Sequence, residues 1–278
     1  MRTFTQGADA WGVASPRRPS RVVGVGMAGF RVRDLNPLRM VPHPAVTLLL
    51  DIGPGSPILD GPGGWQRRGS LVAGPGFGSG GAILARGENV ECVQVRLSPL
   101  IARAVLGVSP ADFGAVAVPL GDLWGREASR IREQLDEISS WQDRFALIDA
   151  LIARRYDTGP RVESEIAWAW RRVIGSRGLT RVDELADEIG WSRKRLWSRF
   201  RSQLGVAPKR AVKLVRFDHA AHRLVAGEPA ARVAAETGYA DQSHLHRDVV
   251  AFTGTTPATV TGEPFLNVDD IAWPSREM

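Results

Sequence analysis

The sequence predicts an α+β protein of two domains. The N-terminal one is β-rich with following helices, and the C-terminal one is all-α. Three observations carry this. Short apolar runs between Gly and Pro fill residues 22–97. Apolar residues at helical spacing take over from about residue 99. A pattern of about 50 residues recurs within 161–262. A chain of 278 residues, 44% hydrophobic and 24% charged, can bury a core in each half without disulfides.

Residues 1–21 are polar, hold Pro16 and Pro19, and read as a flexible arm. Val22–Val25, Val46–Ile52, Leu71–Val72, Ala82–Ala85 and Val90–Leu97 read as strands. Val93–Leu97 alternates with period two, as a half-buried strand does. Eleven glycines and four prolines from Gly53 to Gly81 suit the turns of such a domain. Pro99–Leu106 reads as a short helix. Arg126–Tyr156 is helical, with a break near Ser139–Ser140. Its stripe of Ile131, Leu135, Ile138, Phe145, Ile148, Leu151 and Ile152 either covers the β-domain or forms a homodimer through 126–157. Thr158-Gly159-Pro160 places a helix stop beside a helix start. The expected domains are therefore 22–157 and 161–262, with an acidic tail at 263–278.

The repeat lies in the second domain. Leu185-Ala186 and Gly190 recur as Val233-Ala234 and Gly238, an offset of 48. Leu196, Phe200, Gly205 and Pro208 recur as Leu245, Val249, Gly254 and Pro257, an offset of 49. Each copy reads as a helix-turn-helix. Val182, Leu185, Ala186 and Ile189 form the inner stripe of one short helix; Val233, Ala234 and Thr237 form that of the other. Gly190 and Gly238 turn the chain in the left-handed conformation. Ser192 and Asp241 cap the second helices. Leu196, Phe200 and Leu204, and in the second copy Leu245, Val249 and Phe252, face inward. Arg193, Lys194, Trp197, Ser198 and Arg201 then face outward in the first copy. Gln242, Ser243, His246 and Arg247 do so in the second, with His244 at the margin. Such side chains suit base edges and phosphates in a major groove. Lys209–Ala226 reads as one helix joining the copies, about 27 Å long at 1.5 Å per residue, against about 34 Å for one DNA turn.

Charge agrees with that reading. The chain carries +6, and residues 161–262 alone hold 17 Lys and Arg against 11 Asp and Glu. All three lysines, Lys194, Lys209 and Lys213, lie there. The partner is expected to be a polyanion.

Enzyme patterns fail on their context. Gly24-Val25-Gly26-Met27-Ala28-Gly29 fits the dinucleotide fingerprint, with Asp51 near the ribose-binding distance. The required crossover helix is excluded by Pro37, Pro42 and Pro44. Gly76–Gly81 repeats the pattern and also lacks a helix. A single His, His43, precedes residue 160, so no metal ligand set is expected there and His43 is assigned to a turn or the surface. Cys92, the one cysteine, is expected as a buried structural thiol. Trp65, Trp124 and Trp141 are expected in the core, with a ligand pocket as the other use. No catalytic residue, metal or cofactor is assigned. No apolar run approaches the roughly 20 residues of a membrane span, and the N-terminus has no secretory pattern, so a cytoplasmic protein is expected.

The stretch Gly238-Tyr239-Ala240-Asp241-Gln242-Ser243-His244-Leu245-His246-Arg247, followed by Gly254-Thr255-Thr256-Pro257, resembles the second helix-turn-helix of the AraC/XylS family of bacterial transcription regulators. Arg216 and Ala220 match its joining helix, and the likeness covers about 165–261. Val249 departs from the usual Phe, and Ser198 from a frequent basic residue. The resemblance implies groove-facing positions at Lys194, Trp197, Ser198, Gln242, Ser243, His246 and Arg247. More loosely, Val95–Pro99 and Leu120–Gly125 resemble N-terminal domains of such regulators, which are β-rich, cupin-like in some, and serve effector sensing or dimerisation. The function so implied is sequence-specific DNA binding as an activator or repressor, with double-stranded DNA, a small-molecule effector and RNA polymerase as partners. The rival reading is a small-molecule-binding protein or enzyme with an incidental basic helical domain.

Overall fold

The computed structural model describes residues 2–6, 9–75, 77–78, 82–114, 116–262 and 264–273. The strands are β1 (Arg2–Gln6), β2 (Asp9–Ala14), β3 (Val25–Met40), β4 (Val46–Ile52), β5 (Ile58–Asp60), β6 (Gln66–Arg68), β7 (Leu71–Ala73), β8 (Ile83–Leu97) and β9 (Val118–Pro119). They form one antiparallel sheet in the order β1-β2-β3-β8-β4-β7-β9, with β5 also on β8 and β6 on β5. The long strands β3 and β8 pair from Val25↔Leu97 to Met40↔Ile83. Their register shifts between Leu35 and Leu38, where Pro37 has no N–H to give the ladder.

The two faces of this ribbon serve different cores. On β8, Val93, Val95 and Leu97 join Val46, Leu48, Leu50 and Ile52 of β4 under a helical layer. That layer is α1 (Pro99–Leu106), α2 (Leu120–Trp124), α3 (Arg126–Glu137) and α4 (Trp141–Thr158). Val90 and Cys92 face the other way, with Phe30 and Val32 of β3, into a second core. The alternation follows from the two-residue period of a strand.

Ile131, Leu135, Phe145, Ile148, Leu151 and Ile152 are all buried beneath the sheet. These six residues of the stripe are thus used by their own domain, the first of its two readings, while Ile138 is half-buried. The expected flexible arm at 1–21 instead holds, among its described residues, β2 paired with β3 and the buried Trp11 and Val13. The expected strand at Val22–Val25 begins only at Val25. Val23 is 92% exposed and Gly24 has φ +88°, a turn conformation. Gly29, part of the apparent dinucleotide fingerprint, lies in β3 against the ring of Trp141. A Cβ there would meet that ring at 2.4 Å, so the residue makes room for packing. The similar pattern at Gly76–Gly81 lies mostly outside the described residues. Trp124 is buried and Trp141 half-buried in the core beneath the helical layer, while Trp65 packs on the opposite core.

The second half holds α5 (Ser164–Gly175), α6 (Val182–Glu188), α7 (Arg193–Leu204), α8 (Pro208–Val225), α9 (Ala230–Glu236), α10 (Gln242–Thr253), α11 (Pro257–Val260) and α12 (Pro264–Ala272). Helix α12 corrects the reading of 263–278 as a plain acidic tail. It packs on β2, β3 and α8, burying Leu266, Val268, Asp269, Ala272 and Trp273. Residues 263 and 274–278 lie outside the described residues. Among the described residues no helix is long and apolar enough to cross a membrane.

Candidate nucleic-acid interface

Helices α6–α7 and α9–α10 form two hairpins joined by the 18-residue α8. Each turn uses a glycine in the left-handed region, Gly190 at φ +69° and Gly238 at φ +76°. In that region a side chain would cost about 1–2 kcal/mol. Ser192 Oγ accepts from the N–H of Arg195 at 3.2 Å, and Asp241 Oδ1 accepts from that of His244 at 2.6 Å. These caps satisfy N–H groups that the first turn leaves open. Leu185, Ala186, Leu196, Phe200 and Leu204 are buried in the first unit; Val233, Ala234, Thr237, Leu245, Val249 and Phe252 are buried in the second.

Arg193, Lys194, Trp197, Ser198 and Arg201 are exposed along α7, and Gln242, Ser243, His246 and Arg247 along α10. His244 is half-buried, its ring edge-on to Tyr239 at 5.0 Å. Trp197 is 48% exposed, with Arg201 over its ring at 5.2 Å. Arg193 forms an exposed pair with Asp183 at 3.2 Å. Arg247 Nε donates to Ser243 O at 3.3 Å within its own helix. No ion pair is described for Lys194, Arg201 or Arg247 among the described residues. The first two turns of each helix thus offer cations, amide and hydroxyl groups to solvent.

The C-terminal ends of the same helices lie against the sheet domain. Ser109 donates to Ser202 O on α7, and a Cβ on Gly205 would meet Pro110 at 2.6 Å. Arg39 Nη1 donates to Thr253 O on α10 at 2.9 Å, and a Cβ on Gly254 would meet Ala82 at 3.2 Å.

One buried lock escaped sequence reading. Asp248 of α10 accepts from Lys213 at 3.0 Å and from Arg216 at 3.4 Å, both on α8. An Asp inside a helix resembles a solvent-facing residue. The available signal was its place between Leu245 and Val249 on the inner face. Burial, then the nearby Asp248 charge, pushes the Tyr239 hydroxyl up to about 12.

The concave face of the sheet encloses a cavity of about 100 Å³ lined by Phe30, Leu38, Leu49, Leu59, Phe77 and Cys92 among others. Cys92 is buried, as expected; burial, with Asp51 and Glu91 nearby, pushes its thiol up to about 12. Val268 and Asp269 of α12, with Trp273 just beyond it, complete the cavity wall. There Asp269 accepts from Arg96 and lies 3.1 Å from His222 Nε2 of α8 and 3.5 Å from His43 Nε2. His43 Nδ1 lies 2.7 Å from Asp218. The guanidinium of Arg96 sits 3.6 Å over the Trp273 ring. Burial alone pushes the Asp269 carboxyl up, but the charges of His43 and Arg96 and the hydrogen bonds from His222 and Arg96 outweigh it and hold it low. His43, in the β3–β4 connection, is therefore a buried contact between domains and not a surface residue. A lone His has no sequence pattern that reveals partners 175 residues away. Among the described residues no His, Cys, Asp and Glu grouping is arranged to hold a metal.

Residues 185–262 match the family described as "Helix-turn-helix domain". Among solved structures, the chain is similar to ToxT from Vibrio cholerae, at 10% identity and a TM-score of 0.50, covering 87% of this chain and 99% of that one. It is also similar to the C-terminal domain of AraT, a response regulator from Geobacillus stearothermophilus (18% identity, TM-score 0.34, 37% of this chain and 87% of that one). The AraC-like transcriptional activator CuxR matches at 14% identity and a TM-score of 0.30, over 68% of this chain and 79% of that one. No curated protein matches the sequence. The ToxT likeness establishes a common fold: an antiparallel sheet domain, helices and a helical C-terminal region. With the family match, residues 185–262 form a helix-turn-helix domain.

Proposed function

We propose that the protein is a sequence-specific transcription regulator in which α7 and α10 enter two adjacent major-groove segments of duplex DNA. The observation that carries this is the in-phase pair of capped, solvent-facing helix starts on one joining helix. Arg193, Lys194, Trp197, Ser198 and Arg201 contact DNA from the first unit; Gln242, Ser243, His246 and Arg247 contact it from the second. The DNA-binding domain is 161–262, and 22–157 forms the effector-sensing body, to which β2 and α12 belong structurally. The effector is a small apolar molecule held in the sheet cavity. ToxT has been solved with an unsaturated fatty acid bound, so such an acid is the first compound to try.

The test is a gel-shift titration of the full chain on the DNA upstream of its own reading frame, across a salt series. Phosphate neutralisation gives log K falling with log salt at about −0.9 per phosphate contacted. An affinity indifferent to salt removes the groove reading. An enzyme reading has no residue constellation in its favour among the described residues.

A further inference from the structure

Helix α12 closes the cavity of one domain with a segment that follows the other. Three residues separate it from α11, and its Val268 and Asp269, with Trp273 just beyond it, form cavity wall. Its hold is concentrated at one carboxylate. Asp269 takes Arg96 and His43 from the sheet domain and His222 from α8, so three basic groups from two domains converge on one side chain. The rest of the seat is apolar: Leu266 and Val268, and Trp273 against Phe30 at 5.8 Å between ring centres.

That seat is incompletely satisfied. Trp273 Nε1 and Arg96 Nε are buried without a hydrogen-bond partner among the described residues. Buried polar groups left unpaired tax the closed form. A nine-residue helix is also too short to persist undocked, so it is helical against the sheet or it is released. Cavity filling and α12 docking meet at the same wall residues, Val268 and Trp273.

We propose that α12 is a displaceable lid on the sheet cavity, and that its release loosens the hold of the sheet domain on α8 and, through it, on the second helix-turn-helix unit. This rests on the effector-sensing reading of the cavity. Docked, Asp269 ties α8 through His222 to the strand residue Arg96. Released, it frees the cavity mouth and that tie together. A ligand that presses on Trp273 and Val268 therefore acts on α8 without touching DNA-facing residues.

Cys92 reports on the lid, because it lines the cavity and is the chain's one thiol. The experiment compares the full-length chain with Asp269→Asn and Trp273→Ala, using labelling by a small alkyl methanethiosulfonate under native conditions. Amide hydrogen exchange is followed alongside. The expected result is labelling about tenfold faster in both variants, with exchange in α9–α10 accelerated and that in α5–α7 unchanged, as for local opening. Folded variants that label at the wild-type rate overturn the proposal. Where a variant fails to fold, exchange in the wild-type chain decides. Residues 264–273 opening ahead of β8 supports the lid, and opening in step with β8 overturns it. None of these measurements involves DNA, so failure of the gel shift and failure of the lid are separate results.

Discussion

The two helix-turn-helix units share a plan and differ in what they rest on. The first closes its own core, with Ile166, Trp170, Leu185, Leu196, Phe200 and Leu204 packed among themselves and Trp170 over Phe200 at 6.3 Å. The second merges into the cavity side of the sheet: Phe217, Leu224, Leu245, Val249 and Phe252 belong to one cluster with Phe30, Leu38 and Trp273. Equivalent positions diverge accordingly. Where α7 carries Arg199, exposed and paired with Glu163, α10 carries buried Asp248. Where α7 presents Arg201, α10 presents Val250. A duplicated fold has thus become one unit rich in cations with a core of its own and one whose core is merged with that of the sheet.

The largest expected effect comes from emptying each core. Phe200→Ala and Phe217→Ala should each cost about 3–5 kcal/mol. Hydrogen exchange should show the first loss confined to α5–α7 and the second spreading into β3. Equal spread from both would dissolve the contrast. The same logic applies to a fragment spanning 161–262: α5–α7 should keep native protection, and α9–α10 should lose part of theirs.

Next comes the pair of equivalent positions. Asp248→Ala leaves Lys213 and Arg216 facing an empty site and should cost about 1.5–3 kcal/mol by denaturant titration. Arg199→Ala, at a solvent-exposed pair, should cost less than about 1 kcal/mol.

On DNA, Arg247→Ala and Gln242→Ala should each cost about 1–3 kcal/mol on the specific site and relax base preference there. Lys194→Ala should weaken all sequences alike and reduce the salt slope by about 1. Base-specific loss from Lys194→Ala would instead put Lys194 on a base edge.

The smallest effect is pH-dependent. Asp269 and Asp218 are held below the ordinary carboxylate value, despite burial, by their His and Arg neighbours. A carboxyl lowered on folding stabilises above its unfolded pKa, about 3.9. That contribution is lost as pH falls through the folded value. The difference in melting temperature between the wild-type chain and Asp269→Asn should stay flat from neutral pH to about 5, then narrow in stronger acid.

The C-terminal domain was largely legible because its physics is local. A glycine turn, a cap two or three residues later and helical spacing recur at offsets of 48 and 49, and Gly190, Ser192, Gly238 and Asp241 behave as their types dictate. The β3 strand was not legible. Gly26, Gly29 and Pro37 disguise a 16-residue strand as a string of turns, since its permissive positions serve a tertiary neighbour and a bulge. Helix α12 and the His43–Asp269–His222 meeting were hidden for another reason. Their partners lie tens to hundreds of residues apart, and nothing in the local spacing announces a pairing that the fold alone creates.

The β3–β8 ribbon has a mechanical consequence. At its Met40–Ile83 end, Arg39 holds α10 and Ala82 abuts Gly254. Its opposite end runs directly into α1, which lies against α7. With 15 residues in β8 at about 3.3 Å each, the ribbon is a strut of roughly 50 Å. Helix α8 is a second strut between the same two readers. Two struts attached to the same pair of bodies close a loop, so neither helix-turn-helix unit can shift relative to the other without bending one of the struts. The gauge between α7 and α10 is therefore held twice, once by a helix and once by a sheet, and under the proposed groove binding a deformation of the sheet's twist would reach the DNA as a change in angle between two grooves.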